Sequence, residues 1–531
     1  MRLSTRCRPS TRPPFAPATA SALAAALAVA MALGHAAAFA AEPPRPGVSA
    51  GTATSSAASA PATSTTATGP ATSSPPATGR AADAPQLAER DAAYRTFRAE
   101  FDAGRYNAAL PHAERVVELT EQYAPDPVQL PSALNNLGAT HLKLGDYIAA
   151  ERAYARALQI VEEQQGAASR RLLTPLRGLA LTYQAGGRKD AAAPLLERAI
   201  AISRRSDGLF NPEQLELIEP LIDSYVSVGR LLDADEMHQY AFRLNERRYG
   251  PGSPRLVPSL TRLAVWYEQT QRYTQARRAW ARQYSNATAR GQENVSGAAN
   301  ALRGMARTYR LEYQYGPEPV DEATTSPPGT MGMGVEFDAA ERDPFGRKLI
   351  PGIGINDYRL DPQGREFLEA ALEMVRKTEP PSPQAEAILL IELGDWALLE
   401  RTGSKALPIY ESAWALLPRQ DPGVAEAPKN PLLYPAPLLY RPPGVARRLR
   451  DRPADTVIER VAIAEFTVDE SGKVRDARIV EGDAGEAQRE AFLAAIQRAQ
   501  YRPRFVDGRP VATENVRFRE TFRELKQPAG G

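Results

Sequence analysis

Three arginines carry the plainest chemistry in this chain. Arg303, Arg307 and Arg310 fall four and three residues apart, so on a helix their guanidiniums share one face. Arginine grips carboxylates through paired hydrogen bonds. An acidic segment or a chain terminus is therefore the ligand such a face would hold; a solvated basic face or an internal salt-bridge strip is the competing reading. Catalytic groupings are missing from the sequence. His35, His112, His141 and His238 are scattered, and no His-x-x-x-His pair, nucleophile elbow or phosphate-binding glycine loop occurs. The single cysteine, Cys7, excludes a disulfide framework, a zinc ribbon and a thiol nucleophile in the folded part. Acidic pairs such as Asp235-Glu236 suit an ordinary polar helix face. The expectation is a protein that binds, not an enzyme, with no metal and no cofactor. An enzyme using an insertion as a lid is the alternative from another class.

The elements that must position these residues repeat. Gly104, Gly145, Gly187 and Gly229 stand 41, 42 and 42 residues apart, and Gln271 takes the slot 42 further on. Ala109, Ala150, Ala192, Ala234 and Ala276 keep step, as do Tyr154, Leu196, His238 and Trp280 four residues later in most units. Tyr183, Tyr225 and Tyr267 share another position. Small Gly138 and Ala150 let two helices approach closely, and Tyr154 and Leu158 fill the groove against the next hairpin. The stretch from Leu134 to Ile160 resembles a tetratricopeptide repeat. The 42-residue unit and the string Leu134-Asn135-Asn136-Leu137 resemble kinesin light chains, since the standard unit is about 34 residues. The resemblance implies a mostly α chain, an α-solenoid of about seven helical hairpins over residues 86–417. It also implies that first helices line a groove, which places Ser132, Asn135 and Ala139 of unit two and Arg303, Arg307 and Arg310 of unit six on it.

The sixth hairpin is interrupted. Met305, Ala306 and Tyr309 continue the first-helix register, but residues 313–360 are rich in Gly, Pro and Met. The pattern resumes with a helix at 364–377 and a seventh unit marked by Leu393-Gly394, Ala406, Tyr410 and Ala413. Insertions in such arrays map to one face. This one is a binding element, an accreted loop, or a cover in which Met331, Met333, Phe337 and Ile350 lie on a neighbouring hairpin. Residues 418–455 form a proline-rich linker, with extended polyproline structure expected and Leu-Tyr pairs able to dock on the array.

Beyond 456 the hydrophobic period changes to that of strands. Ala464, Phe466 and Val468 share a face, Asp469 to Lys473 read as a hairpin turn, and Phe492, Leu493, Ile496 and Ala499 form a helical stripe. Residues 515–525 alternate, with Val516, Phe518 and Phe522 on one side and Arg517, Arg519, Thr521 and Arg523 on the other. The order is β–β–α–β, a small α+β domain at 456–526. Phe466-x-Val468, Gly472-x-Val474, Tyr501-x-Pro503 and Asp507-Gly508-x-Pro510-Val511 resemble the C-terminal domain of TonB-type energy transducers; Ala499 stands where many relatives have Trp. The resemblance implies contact with outer-membrane receptors by strand addition, here along the edge carrying Val516, Arg517, Phe518, Arg519 and Phe522. A linker or a second copy covering that edge is the alternative.

The N-terminus reads as an export signal. Arg2, Arg6, Arg8 and Arg12 precede the apolar run Leu23 to Leu33, and Ala38-Phe39-Ala40 forms a small-x-small cleavage site. The net charge of +2 depends on these four arginines; without residues 1–40 there are 61 basic side chains against 63 acidic. A chain so balanced is no general nucleic-acid binder. Residues 41–85 are an Ala/Ser/Thr/Pro linker without the apolar content to fold. The reading is a periplasmic scaffold for protein or peptide partners, among them an outer-membrane receptor segment, linked to envelope transport. The alternative is a transducer anchored in the inner membrane by an uncleaved segment, since residues 13–41 carry no charge. The Ser-x-x-x-His motif that the TonB resemblance would require is broken, because Met31 stands four residues before His35.

Overall fold

A computed structural model describes residues 84–123, 129–289, 294–316, 342–347, 349, 360–417, 430–443 and 457–525. The export segment, the first linker up to residue 83, Arg523's side chain, and Met331, Met333, Phe337 and Ile350 of the insertion lie outside the described residues; the first helix takes the linker's last two residues, Ala84 and Pro85. Two compact units divide at Ser206/Asp207. Among the described residues the first holds three helical hairpins: α1 (Ala84–Asp102) with α2 (Tyr106–Tyr123), α3 (Gln129–Leu144) with α4 (Tyr147–Gln165), and α5 (Leu173–Ala185) with α6 (Lys189–Asp207). The second holds four. They are α7 (Leu215–Ser227) with α8 (Leu231–Tyr249), α9 (Val257–Gln269) with α10 (Tyr273–Ala287), α11 (Val295–Tyr315) with α12 (Gln363–Arg376), and α13 (Pro383–Leu399) with α14 (Gly403–Leu416). The insertion therefore separates the two helices of the sixth hairpin. Among the described residues no helix is long and apolar enough to cross a membrane.

In six of the seven hairpins, all but the interrupted sixth, the turn runs through one left-handed residue. Gly104, Gly145, Gly187 and Gly229 have φ between 72° and 80°, and where glycine is absent Gln271 and Arg401 take φ 59° in the same slot. A side chain there costs free energy, so glycine is the commoner choice. The alanine slots Ala109, Ala150, Ala192, Ala234 and Ala276 are fully buried. Tyr154 wedges between Gly138 of its own hairpin and Gly178 of the next; a Cβ at 178 would lie 2.2 Å from the ring. Trp280 meets Gly304 in the same manner, at 2.3 Å.

The length of the unit comes from the connections between hairpins. Ser169, Asn211 and Ser253, again 42 apart, each accept the amide N–H two residues on and open a 3-10 turn before the next helix. The recurrent tyrosines form staples. Arg188 lies 4.2 Å over the Tyr183 ring and pairs with Glu151 of the preceding hairpin; Arg272 lies 4.5 Å over Tyr267 and pairs with Asp235.

The C-terminal module is a three-stranded antiparallel sheet packed on one helix. Its strands are β2 (Val457–Val468), β3 (Val474–Gly482) and β7 (Thr513–Leu525), in the order β3–β2–β7, and α15 (Glu486–Gln497) lies between β3 and β7 in sequence. Ala462, Ala464, Phe466, Val468, Phe492, Ile496, Tyr501 and Phe522 form its core. Four short strands add to the expected β–β–α–β order: β1 (Ala436–Leu439), β4 (Gln500–Arg502), β5 (Arg504–Val506) and β6 (Arg509–Val511). Strands this short show no period of their own. The β5–β6 turn is Asp507-Gly508, both residues at positive φ, which is the two-residue hairpin geometry. The described part of the proline-rich segment, 430–443, holds a 3-10 turn (Pro431–Leu433) and then the strand β1, which pairs with β4; Leu438 and Tyr440 are buried. A short piece of the insertion also packs, with Phe345 stacked 5.2 Å from Phe367 and Asp343 accepting the Phe345 and Arg347 amides.

Candidate functional site

The three arginines lie on α11 and each faces an acid. Arg303 Nε donates to Glu392 Oε2 at 3.0 Å. Arg307 donates to both Glu268 oxygens, at 2.8 and 3.1 Å. Arg310 stands 3.9 Å from Asp395. Glu268 belongs to the fifth hairpin, and Glu392 and Asp395 to the seventh, so the strip joins three consecutive hairpins. Of the two expectations, the internal salt-bridge strip is the geometry observed. Burial pushes the Glu392 carboxyl up, but Arg303, with Arg310 and Arg307 behind it, holds it below the usual carboxylate range. Any acidic ligand taken by these arginines has to exchange with those carboxylates. Asn135, in the second hairpin, is half-buried on α3, and its Oδ1 has no hydrogen-bond partner among the described residues.

Asp395 is the residue that sequence reading passed over. It is 4% exposed, accepts from Tyr410 OH at 2.7 Å, and pairs with Arg502 Nη1 at 3.1 Å. Arg502 comes from β4 of the C-terminal module and is itself 9% exposed. The signal was present. Glu392 and Asp395 interrupt the apolar run from Ile388 to Leu399, and a carboxylate buried in such a run needs a cation.

The strand edge has a different character. β7 pairs with β2 without interruption from Leu525 to Val516, and among the described residues no strand pairs with its other side. Val516 and Phe518 pack on the module core, and Phe518 and Phe522 each lie 6.3 Å from Phe492. On the opposite face Arg517 and Arg478 flank Glu465 at 3.1 and 2.6 Å. Arg519 is exposed. Tyr440 reaches β7 through its side chain: its ring lies 4.7 Å from Phe518, and its hydroxyl donates to Glu520 at 2.6 Å. The opposite edge, β3, carries two register shifts.

The histidines stay apart. His238 stacks 4.5 Å from Trp266, and His141 lies 3.6 Å from Asp146. Among the described residues no cluster of metal-ligating side chains forms.

Two family models match this chain. Residues 129–205 match the tetratricopeptide repeat, and residues 456–522 match the Gram-negative bacterial TonB protein C-terminal domain. Solved structures similar to it include BtubC (BKLC) from P. vanneervenii, 22% identical over 39% of this chain and 84% of that one, TM-score 0.32. A kinesin light chain of nearly identical TPR-like repeats from Podosopora anserina is 20% identical over 36% and 89%, TM-score 0.31. A tetratricopeptide repeat protein from Parabacteroides merdae is 14% identical over 64% and 94%, TM-score 0.32. No curated protein matches. Both matched domains are protein-interaction modules, typically without catalysis, and the second is a domain of the Gram-negative envelope.

Proposed function

We propose that this is an exported scaffold of the cell envelope, working on the periplasmic side, in which the helical array and the C-terminal module each hold a protein segment. The module's partner is an extended peptide from an outer-membrane receptor, added as a strand along Val516 to Phe522. The observation that carries this is the long, regular β7 with one unpaired side among the described residues. An unpaired edge is a template for another chain; main-chain hydrogen bonds give affinity and alternate side chains give selectivity. Arg517 and Arg519 guard that edge against indiscriminate pairing. In the array, Asn135 offers an unpaired acceptor, and Arg303, Arg307 and Arg310 take a partner carboxylate by exchange with Glu268, Glu392 and Asp395.

The test uses residues 41–531 and a peptide from the periplasmic N-terminus of a receptor. Binding should slow amide exchange across 513–525, and Arg519→Pro should weaken it, because proline lacks a donor and bends the strand. If Arg519→Pro keeps its circular dichroism and binds as tightly as wild type, strand addition at this edge is wrong. N-terminal sequencing of protein from the envelope separates a start near Ala41 from an uncleaved anchor.

A further inference from the structure

The seventh hairpin ends as though another were to follow. Asn430 accepts the Leu432 amide at 2.9 Å and opens a 3-10 turn. Asn211 does the same for Glu213 at 3.1 Å, and Ser253 for Arg255 at 3.3 Å. After those two turns comes the first helix of a new hairpin. After Asn430 comes β1 instead.

The packing makes the same substitution. Tyr410 holds in hairpin seven the slot that Tyr154 and Trp280 hold earlier. Those two rings reach the next hairpin at Gly178 and Gly304. The Tyr410 ring meets Phe505 of β5, at 5.2 Å. Beyond it, Gly508 lies against Trp414, where a Cβ would come within 3.3 Å. Arg502 pairs with Asp395 at 3.1 Å and reaches the Pro431 carbonyl at 3.4 Å. The segment after β1 then ties back to the sixth hairpin. Gln314 donates to the Tyr440 carbonyl at 3.2 Å, and Arg441 donates to the Tyr313 carbonyl at 2.9 Å.

From this we infer that the C-terminal module is the end cap of the second unit's hairpins, standing in the place of an eighth hairpin and latched there by Arg502 on Asp395. Repeat arrays need a terminal element that covers the last apolar face and presents a polar one outward. Phe505 supplies the cover, and the exposed Arg478 and Arg517 are among the polar side chains the module shows to solvent. The surface of β4 and β5 is then committed within the chain, whatever the β7 edge binds, so this inference stands independently of the function proposed above.

Hydrogen exchange on residues 41–531 tests it. Two variants probe the interface from opposite chemistry: Arg502→Ala removes the latch and Phe505→Ala the apolar cover. Either should speed amide exchange in α14 at least tenfold, while α9 and α10 keep their protection. Arg519→Ala, at an exposed residue of β7 that takes no part in the contacts above, should leave α14 unchanged. Loss of protection in α14 supports the cap whether or not β2 and β7 also loosen, because it shows that the hairpin depends on the module. If α14 exchanges at the wild-type rate in both interface variants, even with the module's own strands loosened, the two are independent and the inference fails.

Discussion

His238 shows how a single residue reports its surroundings. Burial against Trp266 pushes the imidazole pKa down to about 4, with Asp235 pulling upward and Arg272 adding to the fall. The folded state therefore holds neutral histidine, whereas the unfolded chain titrates near 6.5. The stability His238 supplies is complete above about pH 6.5 and is lost as pH falls towards about 4, up to roughly 3 kcal/mol. Melting from about pH 7.5 to 4.5 should show this loss in wild type and a shallower one in His238→Phe; parallel curves would contradict it. The Arg303–Glu392 pair makes a second expectation. Arg303→Glu should cost about 2–4 kcal/mol, because it sets two carboxylates together, and Arg303→Glu with Glu392→Arg should recover most of that. Urea midpoints for the two single variants and the double decide it, and purely additive costs would mean that the pair does not interact. Sequence spacing placed Arg303, Arg307 and Arg310 together on one helix, α11, which is where they lie. It could not show their partners, because Glu268 and Glu392 lie 39 and 89 residues away from Arg307 and Arg303.

Elements were more legible than pairings, because a hairpin repeat is a local pattern. The turn glycines and buried alanines recur every 42 residues, and the helices fall where those residues place them. Ala150 is a direct probe of that register. It is fully buried in contact with Tyr154 and Leu179, so Ala150→Trp should cost roughly 1–3 kcal/mol or more by overpacking. An unchanged melting temperature would show the register to be misplaced. Slots that lost their marker were harder to read. Arg401 sits at φ 59° where glycine recurs elsewhere, and nothing in an arginine announces a left-handed turn. The proline-rich segment misled for a related reason. Pro435, Pro437, Pro442 and Pro443 argue for extended chain, and the backbone is extended, but β1 pairs with β4 some sixty residues later. Proline tolerates an edge position, and composition cannot name the strand beside it.

At the scale of the whole molecule, the C-terminal module changes what a truncation means. A chain ending at residue 417 would leave Tyr410 without Phe505 and Asp395 without Arg502. Such a chain should melt below the full chain and self-associate on gel filtration, since an open array end is a heterologous surface that repeats without closing. Monodisperse elution with an unchanged melt would speak against that. The boundary drawn from sequence near 456 also cuts off β1 and Tyr440, which belong to the module's own packing.

The pairing of β1 with β4 sets an order in time. Hairpins close between neighbouring residues and form faster than pairings between distant segments. Ala436 pairs with Arg502, a distant partner, so its strand forms only after the hairpins before it have closed. Until β7 is in place the module's sheet is incomplete and the last hairpin stands with its apolar end open, so the closing step of folding waits on residues 513–525.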